Sequence, residues 1–189
     1  MKIFFITGNK DKIKEAVYVF AKSGIRVEGR KFKFQELVNL RLEDIVIDKA
    51  KQASNIIKEP FIVDDAGIFF EAYPNFPGVF TKYIFNVLGY EGILKLLKDK
   101  NQKAYFKTVV AYREAPDEVL LFKGICRGII SSIVRGPVSY SSPFNCLFMP
   151  LGCKRTFSEM SLDELSIFSH RAKALKKLLN YLNKKGGKL

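Results

Sequence analysis

Three groups of residues have types and spacing suited to chemistry. Asp64 and Asp65 follow the apolar run Phe61-Ile62-Val63 directly. Adjacent side chains on a strand point to opposite faces, so one carboxylate would face a cleft and the other would support it. A carboxylate beside basic groups can hold Mg²⁺ or activate a water. The plainer alternative is a turn in which an aspartate side chain bonds towards Gly67, but a charged pair against apolar residues carries a desolvation cost. The second group is Thr7-Gly8-Asn9-Lys10-Asp11-Lys12, which follows Ile3-Phe4-Phe5-Ile6. A strand, a tight turn and a helix start aim backbone N–H groups at one spot, and that spot suits an anion. A strand–turn–helix with solvated lysines fits the same stretch, since short glycine-containing motifs carry little by themselves. The third group is Ser169-His170-Arg171, where a helix-borne His-Arg pair can clamp a phosphate or a base edge. A histidine packed on a sheet is the other reading. Glu36 and Lys49 would, taken singly, pass for surface residues. No nucleophile elbow is present, so a Ser/His/Asp triad is set aside.

The elements that must position these groups follow from hydrophobic spacing. Ile3 to Ile6 form a buried strand. Lys12 to Lys22 form an amphipathic helix, with Ile13, Ala16, Val17 and Phe20 inward and Ser23-Gly24 as its stop. Ile25 to Phe34 complete a β-α-β unit. Leu42 to Ile57 form a second helix that carries Lys49. Phe61 to Val63 form a short strand that delivers Asp64-Asp65-Ala66-Gly67 at its C-terminal end, where α/β sheets bind ligands. Tyr73 to Gly78, with Pro74 and Pro77, form a rigid loop. Thr81 to Leu88 and Gly92 to Leu97 form two helices. Ala104 to Tyr112 and Val119 to Ile133 form a hairpin turned at Pro116-Asp117. Ser139 to Pro143 is a polar loop and Phe144 to Met149 an apolar segment. Ser161 and Glu164 make a capping box for a final helix, broken near Ser169 and running to about Leu182. No repeat or long linker divides the chain, so residues 1–189 read as one α/β domain or two closely merged lobes, with no clean boundary.

Composition removes several function classes. With 48% hydrophobic residues in 189, the chain can bury a core and is not a disordered segment. Apolar runs such as Phe144 to Leu151 are too short to span a bilayer. Thr7-Gly8-Asn9 interrupts the first apolar run, which breaks the order of a signal peptide. A soluble, cytoplasmic protein is expected. Cys126, Cys146 and Cys153 fit no zinc spacing, and His170 is the only histidine, so the thiols read as inert. The net charge of +13 draws polyanions. The lysines are spread along the chain, and no zinc-finger or RNA-recognition signature appears. The charge therefore argues for a phosphate-bearing ligand more than for nucleic acid, and a lysine-rich surface also suits a protein from a hot environment.

Together these motifs resemble the inosine triphosphate pyrophosphatase family over nearly the full length. The resemblance rests on Thr7-Gly8-Asn9 with Lys12 and Glu15, on Glu36, on Asp64-Asp65-Ala66-Gly67, and on Phe76-Pro77-Gly78-Val79 with Lys82. It continues through Glu91-Gly92-Ile93-Leu94, Ala104-Tyr105-Phe106, Thr156-Phe157-Ser158-Glu159-Met160 and Ser169-His170-Arg171-Ala172-Lys173-Ala174-Leu175. It implies a long mixed, twisted β-sheet with flanking helices, forming two lobes around a central nucleotide cleft. It also implies a homodimer, a Mg²⁺ requirement, and hydrolysis of ITP, dITP and XTP to the monophosphate and pyrophosphate, which cleanses the nucleotide pool. By position, Thr7, Gly8, Asn9, Lys10, Asp11 and Lys12 would bind the triphosphate. Glu36 and Asp65 would hold the metal, with Asp65 as base for the attacking water. Asp64 stands where the family has Glu or Asp. Lys82 and Lys49 would contact phosphate, and His170 and Arg171 would reach the base.

The purine end departs from the family pattern. Where the family has Phe-Gly-Tyr-Asp-Pro, this chain has Ser142-Pro143-Phe144-Asn145-Cys146. In the family that segment closes on the base by stacking and hydrogen bonding. Here Phe144 keeps the aromatic ring and Asn145 exchanges a charge for donors, so both would contact the base, while Pro143 removes an N–H. Leu165 stands where the family has a lysine, and the loop after Glu36 lacks the family's Gln-Gly. Base recognition is therefore expected to change while the phosphate and metal residues remain. Two alternatives stay open: a nucleotide-binding paralogue with altered selectivity or lost catalysis, and a basic protein with salt-dependent DNA binding.

Overall fold

The computed structural model describes residues 1–115, 118–139 and 142–186. Pro116 and Asp117, read as the hairpin turn, lie outside the described residues. So do Tyr140 and Ser141 of the polar loop.

One seven-stranded sheet runs through the molecule in the order β2-β1-β3-β5-β6-β7, with β4 attached to β3. The strands are β1 Lys2–Ile6, β2 Arg26–Arg30, β3 Phe61–Phe70, β4 Pro77–Gly78, β5 Lys103–Arg113, β6 Val119–Ile130 and β7 Phe148–Pro150. β1 runs parallel to β2 and β3, and the remaining pairs are antiparallel. The helices are α1 Lys10–Phe20, α2 Leu42–Ser54, α3 Thr81–Leu97, α4 Leu162–Phe168 and α5 His170–Gly186.

β3 corrects the sequence reading. It is ten residues long rather than three, so Asp64 and Asp65 lie inside the strand and not beyond its end. The cause is β5, which pairs with β3 from Phe61 to Phe70 and carries it through the aspartate pair. The turn alternative for Asp64-Asp65 is thereby overturned. The other edge of β3 is shared. β1 pairs only with Phe61 and Ile62, and β4 only with Ile68 and Phe69. Among the described residues no strand pairs with the edge between them, around Asp64 to Ala66, and a cleft opens there. Gly67 lets β4 come close, since a Cβ at that position would lie 2.2 Å from the Gly78 carbonyl oxygen.

Three apolar clusters hold the lobes. α1 and α5 pack on one face of the sheet, where Phe5, Ala16, Phe20, Ile62, Leu175 and Leu178 meet. α2 covers the other face through Val46, Ala50, Val63 and Val109. The second lobe is built on Phe70, Ile93, Phe106, Phe144, Phe148 and Phe157. α5 lies almost on the backbone of β6, because a Cβ at Gly124 would stand 1.9 Å from the His170 carbonyl oxygen.

Element boundaries shift for identifiable reasons. α1 starts at Lys10 because Asn9 caps it. Its inner face carries Glu15, Ala16 and Phe20, and the expected core residue Val17 is 45% exposed. β2 ends at Arg30, so Phe32 and Phe34 leave the sheet and pack on each other with ring centroids 4.7 Å apart. α2 stops at Ser54, and Ile57 is buried beyond its end. The two helices expected over 81–97 share one element that breaks at Gly89, where φ is 61°. β6 stops at Ile130. The Ser161 capping box and the break at Ser169 are present as expected.

Candidate functional site

The site forms where β1 stops and β3 continues. Asn9 closes the turn after β1, and its Oδ1 accepts from the N–H groups of Asp11 at 2.9 Å and Lys12 at 3.3 Å. The Asn9 N–H donates to Thr7 Oγ1 at 3.1 Å. This cap sets the start of α1 and turns Lys12 and Glu15, one helical turn apart, towards the sheet.

Asp64 and Asp65 point to opposite faces, as strand geometry requires. On the α1/α5 face each Asp64 oxygen takes one cation. Lys12 Nζ donates to Oδ1 at 2.7 Å, and Arg171 Nε donates to Oδ2 at 2.8 Å. Arg171 Nη1 also donates to Glu15 Oε2 at 2.9 Å, and the Ser169 hydroxyl donates to the other Glu15 oxygen. Asp64 is 5% exposed. Burial alone would push its carboxyl up, but Lys12 and Arg171 outweigh that and hold it well below the ordinary carboxylate range. Burial likewise pulls on the Arg171 guanidinium, and Asp64 and Glu15 raise it instead.

On the α2 face the Lys49 ammonium lies between two carboxylates, 3.3 Å from Asp65 Oδ2 and 3.5 Å from Glu36 Oε2. Asp65 Oδ1 accepts from the Ala66 N–H at 2.9 Å, which fixes its plane. Burial would lower the Lys49 ammonium, yet Asp65 and Glu36 outweigh it and raise it. Glu36 and Asp65 offer hard oxygen donors. Among the described residues no group of three or more metal-ligating side chains exists, so a cation here would rest on two carboxylates. That set fits Mg²⁺, which takes one or two carboxylates and completes its shell with water and substrate phosphates.

The two charge clusters open into one cleft of about 1010 Å³. Every residue singled out from the sequence for the site lines it except Lys10, which is exposed at the start of α1. Lys82 enters from the first turn of α3.

A model of the Ham1 family matches residues 3–181. The chain belongs to the Ham1 family. It is 38% identical to a protein of Thermococcus kodakarensis named dITP/XTP pyrophosphatase, over 96% of this chain and 97% of that one. It is also 38% identical to the inosine triphosphate pyrophosphatase of Yarrowia lipolytica, over 98% and 97%. The structure of a HAM1 protein from Coxiella burnetii superposes with a TM-score of 0.76 at 22% identity, covering 97% of this chain and 99% of that chain, and it shares the fold. The family and the mixed α/β architecture expected from the motifs are thus borne out.

At the far end of the cleft this Ham1 chain is largely apolar. Phe106, Pro143, Phe157, Met160 and Leu165 line it. His170 is 5% exposed and lies flat on Phe106, with centroids 4.5 Å apart and planes 8° from parallel. Burial, with Arg171 adding to it, pushes the imidazole well below its ordinary range and keeps it neutral at pH 7. The Phe144 ring is 1% exposed and sits edge-on to Phe70 and Phe85, a core position at the cleft wall. Asn145 is partly buried beside it.

Sequence reasoning gave Glu15 no role, though it links Ser169 to Arg171. Its signal was its place one turn after Lys12 on the same helix. The wall residues Phe106 and Phe157 had no local signal, because an aromatic on a strand or short turn reads as core.

Proposed function

We propose that the protein hydrolyses ITP, dITP and XTP to the nucleoside monophosphate and pyrophosphate. The observation that carries this reading is the pair of charge clusters on opposite faces of β3. Asp65 with Glu36 and Lys49 stands on one side of the cleft, and Lys12 with the capped start of α1 on the other. The names of the Thermococcus and Yarrowia relatives support it.

The triphosphate would lie against the N-terminus of α1, where its charge meets the helix dipole. The space beside Gly8, where an added Cβ would touch nothing within 4 Å, leaves room for phosphate oxygens. Asp65 would take a proton from the water that attacks the α-phosphorus, the α–β P–O bond would break, and pyrophosphate would leave. Asp65 suits that task because it lines the cleft with one oxygen fixed by Ala66 and the other beside Lys49, which would move to phosphate. Lys12, Lys49 and Lys82 would neutralise the phosphate oxygens as charge builds up. Mg²⁺, held by Glu36 and Asp65, would add Lewis-acid charge neutralisation. Arg171 and the neutral His170 would meet the base. A homodimer in the cytoplasm belongs to the same reading. Among the described residues no helix is long and apolar enough to cross a membrane, and Tyr83 and Val87 expose an apolar strip on α3.

The purified protein, given Mg²⁺ and a panel of ITP, XTP, dITP, GTP and ATP, is expected to release pyrophosphate fastest from the first three. Turnover should fall by about 10²–10⁴ in Asp65→Asn. Tight nucleotide binding without pyrophosphate would sink the reading. The apolar wall at Pro143 and Leu165 favours a second reading, a broadened base choice, and comparable turnover of GTP or ATP would support that instead.

A further inference from the structure

We propose that Lys49 is a resident counter-ion of the Glu36–Asp65 pair, which a divalent cation must displace, so that metal and triphosphate bind as a coupled pair. This inference rests on the reading of Glu36 and Asp65 as metal-holding residues. Lys49 Nζ already occupies the gap between Asp65 Oδ2 and Glu36 Oε2, at 3.3 and 3.5 Å. A Mg²⁺ ion sits about 2.0–2.1 Å from its oxygens. An ion shared by the same two oxygens would fill the space that the ammonium holds, and two cations in one gap repel.

The displaced ammonium has few places to go. The Lys49 side chain is only 12% exposed, so it has given up most of its water and depends on its carboxylates. Asp64 and Glu15, buried carboxylates of the same cleft, are already bonded at both oxygens, Asp64 by Lys12 and Arg171 and Glu15 by Arg171 and Ser169. Lys49 lines the same cleft as Lys12 and Lys82, and a triphosphate there is the anion able to receive it. Glu36 can adjust to the incoming ion, because its side chain is 72% exposed while Asp65 is pinned by Ala66. Without a triphosphate, metal binding strands an ammonium. With one, Lys49 moves from carboxylate to phosphate, and each ligand raises the affinity of the other by the same factor.

The test is Mn²⁺ titration followed by electron paramagnetic resonance of the free ion. It uses the wild type, Lys49→Met and Lys49→Arg, with and without the α,β-methylene analogue of ITP. Lys49→Met is expected to bind Mn²⁺ more tightly than wild type in the absence of nucleotide, by at least about 5-fold, the low end of ordinary coupling. Lys49→Arg is expected to stay as weak as wild type, and the enhancement by the analogue is expected to shrink in Lys49→Met. Unchanged or weaker Mn²⁺ binding in Lys49→Met overturns the inference. So does tight binding in Lys49→Arg, because the charge would then not be the cause. Glu36→Gln and Asp65→Asn separate the two levels. If they abolish Mn²⁺ binding while Lys49→Met leaves it unchanged, the metal pair stands and the counter-ion role falls. If they leave it intact, the metal reading falls and takes this inference with it.

Discussion

Arg171 and Asp64 are 107 residues apart in the chain, yet Arg171 Nε donates to Asp64 Oδ2 at 2.8 Å in a buried setting. That bond ties the first turn of α5 to the middle of β3. Removing one partner of a buried pair leaves the other uncompensated, which costs about 3–5 kcal/mol. Arg171→Met, which leaves Asp64 with Lys12 alone and Glu15 with only the Ser169 hydroxyl, is expected to lose stability towards the low end of that range. Urea unfolding monitored by far-ultraviolet circular dichroism checks it. A loss below about 1 kcal/mol would show that the bond holds nothing together.

Gly124 sets how closely α5 approaches the sheet. A Cβ there would meet the His170 carbonyl oxygen at 1.9 Å and the Ala174 nitrogen at 2.7 Å, and both are backbone atoms. Gly124→Ala is therefore expected to push the start of α5 outward and to cost about 1–3 kcal/mol, as overpacking does. Turnover should fall with it, because His170 and Arg171 ride on that turn. Melting temperature and turnover are measured together, and a variant that matches wild type in both removes the argument.

His170 is the only histidine in the sequence, so its proton resonances can be followed without assignment. Burial lowers its folded-state pKa well below 6.5. The unfolded chain then binds the extra proton first, so this contribution is fully present above about pH 6.5 and is lost as pH falls towards the folded value. The slope cannot exceed about 1.4 kcal/mol per pH unit for one proton. Asp64, with its folded pKa depressed, adds a separate loss that begins only below about its ordinary 3.8. The histidine Hε1 resonance is expected not to titrate between pH 7.5 and 6, and a normal titration curve centred near 6.5 would contradict the buried neutral state.

Asp65 and Asp64 should separate chemistry from stability. Asp65 keeps 24% of its side chain exposed and Asp64 only 1%. Asp65→Asn is expected to reduce turnover by about 10²–10⁴, the usual contribution of a general base, with a smaller loss of stability than Asp64→Asn, because Lys49 keeps Glu36 as a partner. Asp64→Asn is expected to lower stability clearly. Parallel kinetics and denaturation decide it, and the assignment fails if the two variants exchange behaviour.

Phe144 was read from the sequence as the ring left to stack on a base, and its setting is a core one. It is 1% exposed and packs edge-on to Phe70 and Phe85. Phe144→Ala is expected to cost about 3–5 kcal/mol. Phe144→Leu should preserve most of the stability and leave KM for ITP within a few-fold. A large rise in KM without destabilisation would restore the stacking role.

Much of the site was legible because its signals are local. The apolar run into Thr7-Gly8-Asn9 marks a strand, a cap and a helix start within a few residues. Asp64-Asp65 after Ile62-Val63 is conspicuous because charge next to a buried run demands an explanation. The Ser161 capping box and the break before His170 were also visible. The length of β3 was not. Phe61 to Val63 ends, by local pattern, at the first aspartate, and only pairing with β5 carries the strand onward. Val17 looked like core by helical period, and Glu15 took the inner position because Arg171 waits there to pair with it.

The sequence by itself determined most of the helices, the sites of the longer strands, the order of the motifs and the kinds of group present, because propensity, capping and alternation act between neighbours in the chain. The tertiary structure decided which groups meet. Lys12, Glu15, Asp64 and Arg171 form one network although they come from three separate elements. Lys49 from α2 faces both Glu36 and Asp65. A carboxylate's partner is fixed by burial and distance, and in a folded chain neither depends on separation along the sequence.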